Sequence, residues 1–363
     1  MIQGHGGNIF AVAERLGCRP DEITDMSSNI NPLGTMPGLL DHLKATLDRI
    51  RILPEVDARA SARAIAALLS VDEGRILAGG GTTQFIYAAC PALDSQRVLI
   101  AGPTYADYAD GCRMHGIEPD FFLAQAETGF KVNLEALSAM IGGYYDTVFL
   151  CNPNNPTGQL IPKEPLIALC REHPQVRFLI DESYLPFVPA AQSGSMCHCE
   201  LGNVGVLWSV SKIFGMPGLR AGFLVGNQSL LARFNRFMQP WCVNSLAQEA
   251  VRFLGDNLLA ANAFISQTRE FLATEGAAFC DRLHSDRLTV YPSLTSYFLL
   301  RLSGSLTASQ VCDFLLERRF LIRNCANFLG LSEQFIRVAL KDAATNQAVT
   351  GHLLDAVANG ERR

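Results

Sequence analysis

No stretch of this sequence approaches the roughly 18 uninterrupted apolar residues of a membrane span, although 48% of its 363 residues are hydrophobic. Charge of one sign is also lacking. Thirty basic residues face 35 acidic ones, the net charge is −5, and Lys and Arg are scattered rather than gathered in runs. Nucleic-acid and membrane-surface roles therefore have no electrostatic support. The opening MIQGHGGN has neither the charged nor the apolar region of a signal peptide, which makes the cytoplasm the expected compartment. Spaced cysteine pairs are missing as well. Of eleven cysteines, Cys90, Cys151, Cys170, Cys280 and Cys312 stand in apolar stretches and read as reduced core thiols. Only Cys197, His198 and Cys199 cluster, without the second pair of a structural zinc site, so the expectation is a surface loop and no metal. No internal repeat or low-complexity tract appears.

What is present is alternation. Short runs apolar on both faces, Arg97 to Ala101, Thr147 to Cys151, Arg177 to Ile180 and Val204 to Trp208, read as strands of a mostly parallel, buried sheet. Between them lie stretches of helical period: Gly38 to Arg51, Ala58 to Leu69, Leu134 to Ile141 and Pro165 to His173. This pattern predicts an α/β fold with a three-layer α/β/α large domain, in which ligands collect at the carboxyl ends of the strands. After Asn244 the character changes to one long helical segment reaching about His284, then strands at Leu288 to Tyr291, Ser296 to Leu302 and Phe335 to Leu340, with helices at Ala308 to Arg318 and Thr345 to Ala358. The expected organisation is a loop-rich N-terminal arm over 1–34, a large domain over 35–244 and a smaller α+β domain over 245–363.

Four segments carry chemistry. Ser209-Val210-Ser211-Lys212, followed by Arg220, puts a lysine, two hydroxyls and a guanidinium just past a buried strand. A lysine in an apolar, partly cationic site loses its proton readily and becomes an amine nucleophile, while the hydroxyls and Arg220 can hold a phosphate. Alone, the lysine reads equally as a solvated strand cap. Asp181-Glu182-Ser183-Tyr184 sets a carboxylate at a strand end, where it can keep a heteroaromatic nitrogen protonated. A helix N-cap is the plain alternative. Asn152-Pro153-Asn154-Asn155-Pro156-Thr157-Gly158 is a rigid turn suited to aiming an amide. Gly79-Gly80-Gly81-Thr82-Thr83 opens a helix whose unpaired N–H groups suit a phosphate, yet it is neither a Walker loop nor a dinucleotide fingerprint.

In this order, together with Pro103-Thr104-Tyr105, these segments resemble the fold-type I pyridoxal 5′-phosphate (PLP) enzymes, and within them the histidinol-phosphate aminotransferase group. The resemblance implies PLP as cofactor, Lys212 as its Schiff-base lysine, and Asp181 against the pyridine nitrogen. It also implies Asn155 and Tyr184 at the ring oxygen, Tyr105 stacked on the ring, and Gly81, Thr82, Thr83, Ser209, Ser211 and Arg220 around the cofactor phosphate. A homodimer is implied too.

The ends of the chain carry a narrower likeness. His5-Gly6-Gly7-Asn8, Ser28-Asn29-Ile30-Asn31-Pro32-Leu33-Gly34, Pro240-Trp241-Cys242-Val243-Asn244 and the run Ile322 to Asn327 are similar to the threonine-phosphate decarboxylases, which serve cobalamin synthesis. That likeness implies a small phosphorylated amino acid as substrate, met by His5, Asn29, Asn155, Arg323 and Arg337. The two arginines are forked donors suited to phosphate and carboxylate. Transamination of histidinol phosphate and decarboxylation of L-serine phosphate stay open at this level, since one methyl group discriminates by only about 1–3 kcal/mol. A non-catalytic PLP-binding sensor would need an output domain, and no basic helix-turn-helix precedes residue 30. One departure stands out: relatives carry Tyr-Pro, its tyrosine reaching the neighbouring subunit's cofactor phosphate, where this chain has Leu53-Pro54. The missing hydroxyl removes a hydrogen bond of about 0.5–1.5 kcal/mol.

Overall fold

The computed structural model describes residues 6–192 and 194–359. Its thirteen described strands are β1 (Thr24–Asp25), β2 (Ile76–Gly79), β3 (Val98–Gly102), β4 (Asp120–Leu123), β5 (Thr147–Cys151), β6 (Arg177–Asp181), β7 (Val204–Ser209), β8 (Gly222–Val225), β9 (Leu288–Val290), β10 (Tyr297–Leu302), β11 (Phe320–Leu321), β12 (Arg323–Asn324) and β13 (Phe335–Ala339). The large sheet runs β2-β8-β7-β6-β5-β3-β4. Five of its strands are parallel through β7-β6-β5-β3-β4, while β8 is antiparallel to both its neighbours. Every residue of β3, β5, β7 and β8 is buried, as expected where helices cover both faces and no strand side can be polar. The result is the three-layer α/β/α domain, with a smaller α+β unit built on the antiparallel sheet β12-β13-β10-β9.

Local sequence sets the helix starts. Asn133, Asn227 and Asn244 each accept a hydrogen bond from the backbone amide three residues on, so each opens its helix as an N-cap. Glycine lets a helix sit close to the sheet at Gly205 in β7, where a Cβ would meet Leu230 Cδ2 at 2.8 Å. The demand is stricter at Gly222 in β8, where a Cβ would lie 2.3 Å from the Thr82 backbone nitrogen. Gly222→Ala is expected to cost about 1–3 kcal/mol by overpacking against backbone that cannot yield, read as a lower urea midpoint at unchanged m-value.

Two expectations need correction. The segment from Asn244 to His284 is not one helix but two, Ser245–Asp256 and Leu258–Arg282. The break falls at Asn257, whose side-chain amide donates to the Phe253 carbonyl at 2.9 Å and competes with the helical pattern. Likewise the helix expected from Gly38 to Arg51 ends at Ala45, and a 3₁₀ segment, Leu47–Arg51, replaces its last turn.

The arm is more ordered than its glycines suggested. It contains a helix, Ile9–Leu16, capped by Asn8 and closed by Gly17 in the left-handed region. It then pairs β1 parallel to β11 of the small unit. The Met26 amide donates to Leu321 O and the Ala339 amide to Met26 O, each at 2.8 Å. Farther on, the Asn31 amide donates to Lys212 O at 3.0 Å, and its side-chain nitrogen donates to Ile213 O and Thr268 Oγ1, both at 2.7 Å. The arm is thus stitched to the small sheet at one end and to the Lys212 turn at the other, leaving Ser27 to Ile30 between them.

Candidate active site

The carboxyl ends of β2, β3, β5, β6 and β7 deliver one motif each: Gly81 with Thr82 and Thr83, Tyr105, Asn155, Asp181, and Ser209. All of them border one cavity of about 560 Å³, together with Tyr184, Ser211, Lys212, Arg220, Asn29, Arg323 and Arg337. Every expected site residue among the described ones is brought together there. His5 lies outside the described residues; its neighbours Gly6 and Gly7 border the same cavity.

Lys212 sits in a single turn of helix, Val210–Ile213, that follows β7 directly, with Ser209 accepting from the Ser211 amide at 3.2 Å. Burial first, then the guanidinium groups of Arg337 and Arg220, push its amine down to about 8, against the opposing pull of Asp181 and Asp25. Near neutrality such an amine is poised to lose its proton, which an exposed lysine is not.

Asp181 is buried, and burial raises its carboxyl above the ordinary value. Hydrogen bonds oppose that rise: the Ser183 amide donates to Oδ1 and the Tyr108 hydroxyl to Oδ2, both at 2.9 Å. Tyr108 was not among the expected residues, although it borders the cavity. Its signal in the sequence was slight, a tyrosine three places beyond Tyr105 on the first turn of Asp107–Met114, and only the fold brings it to Asp181. The two phenol rings meet edge to face at 5.8 Å.

Arg337 lies in β13 and faces inward. It is 5% exposed, donates to Asn155 Oδ1 and to the Ser27 carbonyl, and keeps a buried Nε with no partner. Asn29 donates to the Tyr184 hydroxyl at 3.4 Å, and its own Oδ1 is likewise buried without a partner. Unsatisfied buried polar atoms are costly, and these two belong to residues that border the same cavity.

At the other end of the cavity the helix Thr82–Leu93 begins just after Gly81, whose φ is +96°. A Cβ there would lie 2.8 Å from Arg220 Nη2, so the glycine lets a guanidinium approach unpaired helix amides. Helix amides, the Ser209 and Ser211 hydroxyls and an arginine are a donor set that could hold a phosphate. The residues bordering the whole cavity include four cations, Lys212, Arg220, Arg323 and Arg337, against two carboxylates, Asp25 and Asp181. This balance suits anionic ligands.

The Cys197-His198-Cys199 segment is not a surface loop. Cys197 and Cys199 are buried, and the turn exists to satisfy Glu182, which accepts from Ser195 Oγ at 2.5 Å and the Met196 amide at 2.7 Å. Burial pushes the Glu182 carboxyl up to about 7. Among the described residues no group of three potential ligands could hold a metal ion, and no helix is long and apolar enough to cross a membrane.

Comparison with known proteins extends this picture. The family model for aminotransferase class I and II matches residues 21–357. A threonine-phosphate decarboxylase from Salmonella typhimurium is 34% identical over 354 residues, covering 96% of this chain and 95% of that protein. A histidinol-phosphate aminotransferase from Methanocaldococcus jannaschii is 28% identical, covering 91% of this chain and 88% of that one. Among solved structures, the L-threonine-O-3-phosphate decarboxylase from Porphyromonas gingivalis superposes with a TM-score of 0.81 at 32% identity, over 92% of this chain and 99% of that one.

Proposed function

The chain belongs to the class I and II aminotransferase family of fold-type I PLP enzymes, and from that premise we propose that it decarboxylates L-threonine O-3-phosphate to (R)-1-amino-2-propanol O-2-phosphate, an intermediate for cobalamin. The observation that carries this reading is the stitched arm, which holds Asn29 over a cavity already bordered by Arg323 and Arg337, and so supplies more anion-binding groups than a single carboxylate needs. Similarity over nearly the whole chain to threonine-phosphate decarboxylases at 34% and 32% identity supports the same choice.

The residues present fit PLP. Gly81, Thr82, Thr83, Ser209, Ser211 and Arg220 would hold its phosphate, Tyr105 its ring face, Asn155 and Tyr184 its ring oxygen, and Asp181 its nitrogen. When bound, PLP supplies an electron sink for the pair left on the substrate's α-carbon. Asp181 would hold a proton at the ring nitrogen, the bonds from Tyr108 and Ser183 opposing the rise that burial imposes on its carboxyl. Lys212 would hold the cofactor by its aldehyde, and its amine, once free, would carry a proton to the substrate's α-carbon. Arg323, Arg337, Asn29 and His5 take the phosphate and carboxylate of the substrate and set which bond at the α-carbon stands perpendicular to the ring. That orientation separates loss of carbon dioxide from loss of the α-proton.

Partner chemistry follows the same family. Leu40, Leu47, Ile50, Ile52, Leu53, Val56 and Trp241 are exposed apolar side chains concentrated in one segment and its neighbour, the Trp241 amide donating to Val56 O at 2.9 Å. A surface of that kind supports a homodimer, with Leu53 contributing apolar contact where relatives contribute a hydroxyl.

Incubation of the PLP-loaded protein with O-phospho-L-threonine and no keto acid is the test. Release of carbon dioxide is expected; glutamate formation from histidinol phosphate and 2-oxoglutarate, without carbon dioxide release, would overturn the proposal in favour of an aminotransferase. A second expectation concerns pH. Because only the neutral amine attacks an aldehyde, capture of PLP by the cofactor-free protein should slow about tenfold for each pH unit below the Lys212 pKa of about 8 and level off above it. Stopped-flow absorbance across pH 6–10 reads that profile directly, and a midpoint near the 10.4 or so of an ordinary lysine would contradict the buried, cationic environment.

A further inference from the structure

Arg323 is held from three directions. Its Nη2 donates to Asn327 Oδ1 at 2.7 Å, and its Cζ stands 5.1 Å from the centroid of the Phe328 ring. On the arm side, a Cβ added to Gly6 would meet Arg323 Cδ at 3.3 Å, so the backbone of Gly6 already packs against the side-chain stem. All four residues border the active-site cavity. Phe328 is itself buried in a small apolar cluster with Phe130, Tyr291, Leu299, Cys325 and Phe335. That cluster joins the loop before Leu134–Ile141 to the sheet of the small unit, and gives the ring a fixed seat.

This arrangement has a physical purpose. Burial and the nearby positive charge of Arg337 both disfavour the charged form of Arg323, so nothing about charge alone keeps the two guanidinium groups on one wall. An arginine carries about 2 kcal/mol of rotamer entropy. Left to itself it would swing toward water and lose the fork geometry that pairs with an oxyanion. An amide oxygen at the tip and an aromatic face beside the plane remove that freedom.

We propose that Asn327 and Phe328 are positioning residues that lock the Arg323 guanidinium plane for an oxyanion of the substrate, and so set affinity for the phosphorylated amino acid. The inference rests on the functional reading above for the identity of the substrate, and on the geometry alone for the clamp. Neither residue has to touch substrate; each acts through Arg323.

The test uses the PLP-loaded protein, whose cofactor cradle is filled. Asn327→Ala should raise KM for O-phospho-L-threonine about tenfold with kcat within about twofold, the cost of freeing one charge-assisted hydrogen bond. Phe328→Leu should raise KM about fivefold, and Phe328→Tyr should restore it. PLP affinity, followed by absorbance titration, should be unchanged in all three. In an Arg323→Ala background, Asn327→Ala should add nothing, because the group it positions is gone. A full additive effect in that background, or a fall in kcat or PLP affinity instead of a rise in KM, would overturn the proposal. Calorimetric titration of the same loaded proteins with inorganic phosphate keeps the clamp testable by itself. If the parent protein binds phosphate but does not turn over O-phospho-L-threonine, the functional reading fails while the clamp stands on whether Asn327→Ala weakens phosphate; equal phosphate affinity in both would sink the clamp.

Discussion

Lys212→Ala is expected to lower turnover of O-phospho-L-threonine by at least about 10⁴-fold, the upper range for a group that moves protons in the transition state. The loss is larger than a proton-transfer role alone would give, since the same amine is proposed to form the covalent bond to the cofactor as well. The proposed phosphate cradle, Tyr105 and Asp181 are untouched by the change, so PLP should still bind, without the visible absorption that a lysine-linked cofactor gives. Absorbance of the dialysed, PLP-loaded variant checks this together with its rate. Persistence of the band would show that another amine holds the cofactor, and the site built around the Val210–Ile213 turn would have to be abandoned.

Asp181→Asn should cost about 10²–10³ in kcat, as expected when a preorganised charge at a buried site is removed without changing shape. The amide fills the same volume at the end of β6 and can still meet the Tyr108 hydroxyl, so stability and PLP binding should change far less than rate. What is lost is a negative charge able to hold the ring proton. The pH profile carries the same information with a defined sign. In the cofactor-free protein burial raises the Asp181 carboxyl, so its charge there is lost as pH falls through a point above the ordinary carboxylate range; a cationic ring nitrogen bound beside it opposes that rise, and the acid limb of kcat should lie below that point. A kcat within about tenfold of the parent at all pH values would argue that the ring proton is held by something else.

Much of this site was legible along the chain because each motif lies within a few residues of a strand end, and a parallel sheet brings such ends together whatever the loops do. Gly81, Asn155, Asp181 and Lys212 were found in that way. Tyr108 was not, because its claim rests on a contact across 73 residues rather than on any local pattern. The buried Cys197 and Cys199 were misread for a related reason: a short polar-looking turn seems exposed until the carboxylate it must satisfy, Glu182, is seen beneath it. Asn257 escaped notice because the periodicity of the apolar positions continues through the break that its side chain causes.

The order of motifs, the strand-end lysine and the apolar period of the strands were fixed by residue type alone, since each depends on short-range geometry that a sequence carries intact. Family and cofactor follow from those. Tertiary structure decided which groups face one another: the bond between Arg337 and Asn155, the arm drawn between the small sheet and Lys212, and the clamp on Arg323. These join residues distant in the chain, and the electrostatic consequences arise from burial and neighbouring charge, which exist only once the chain has closed around them.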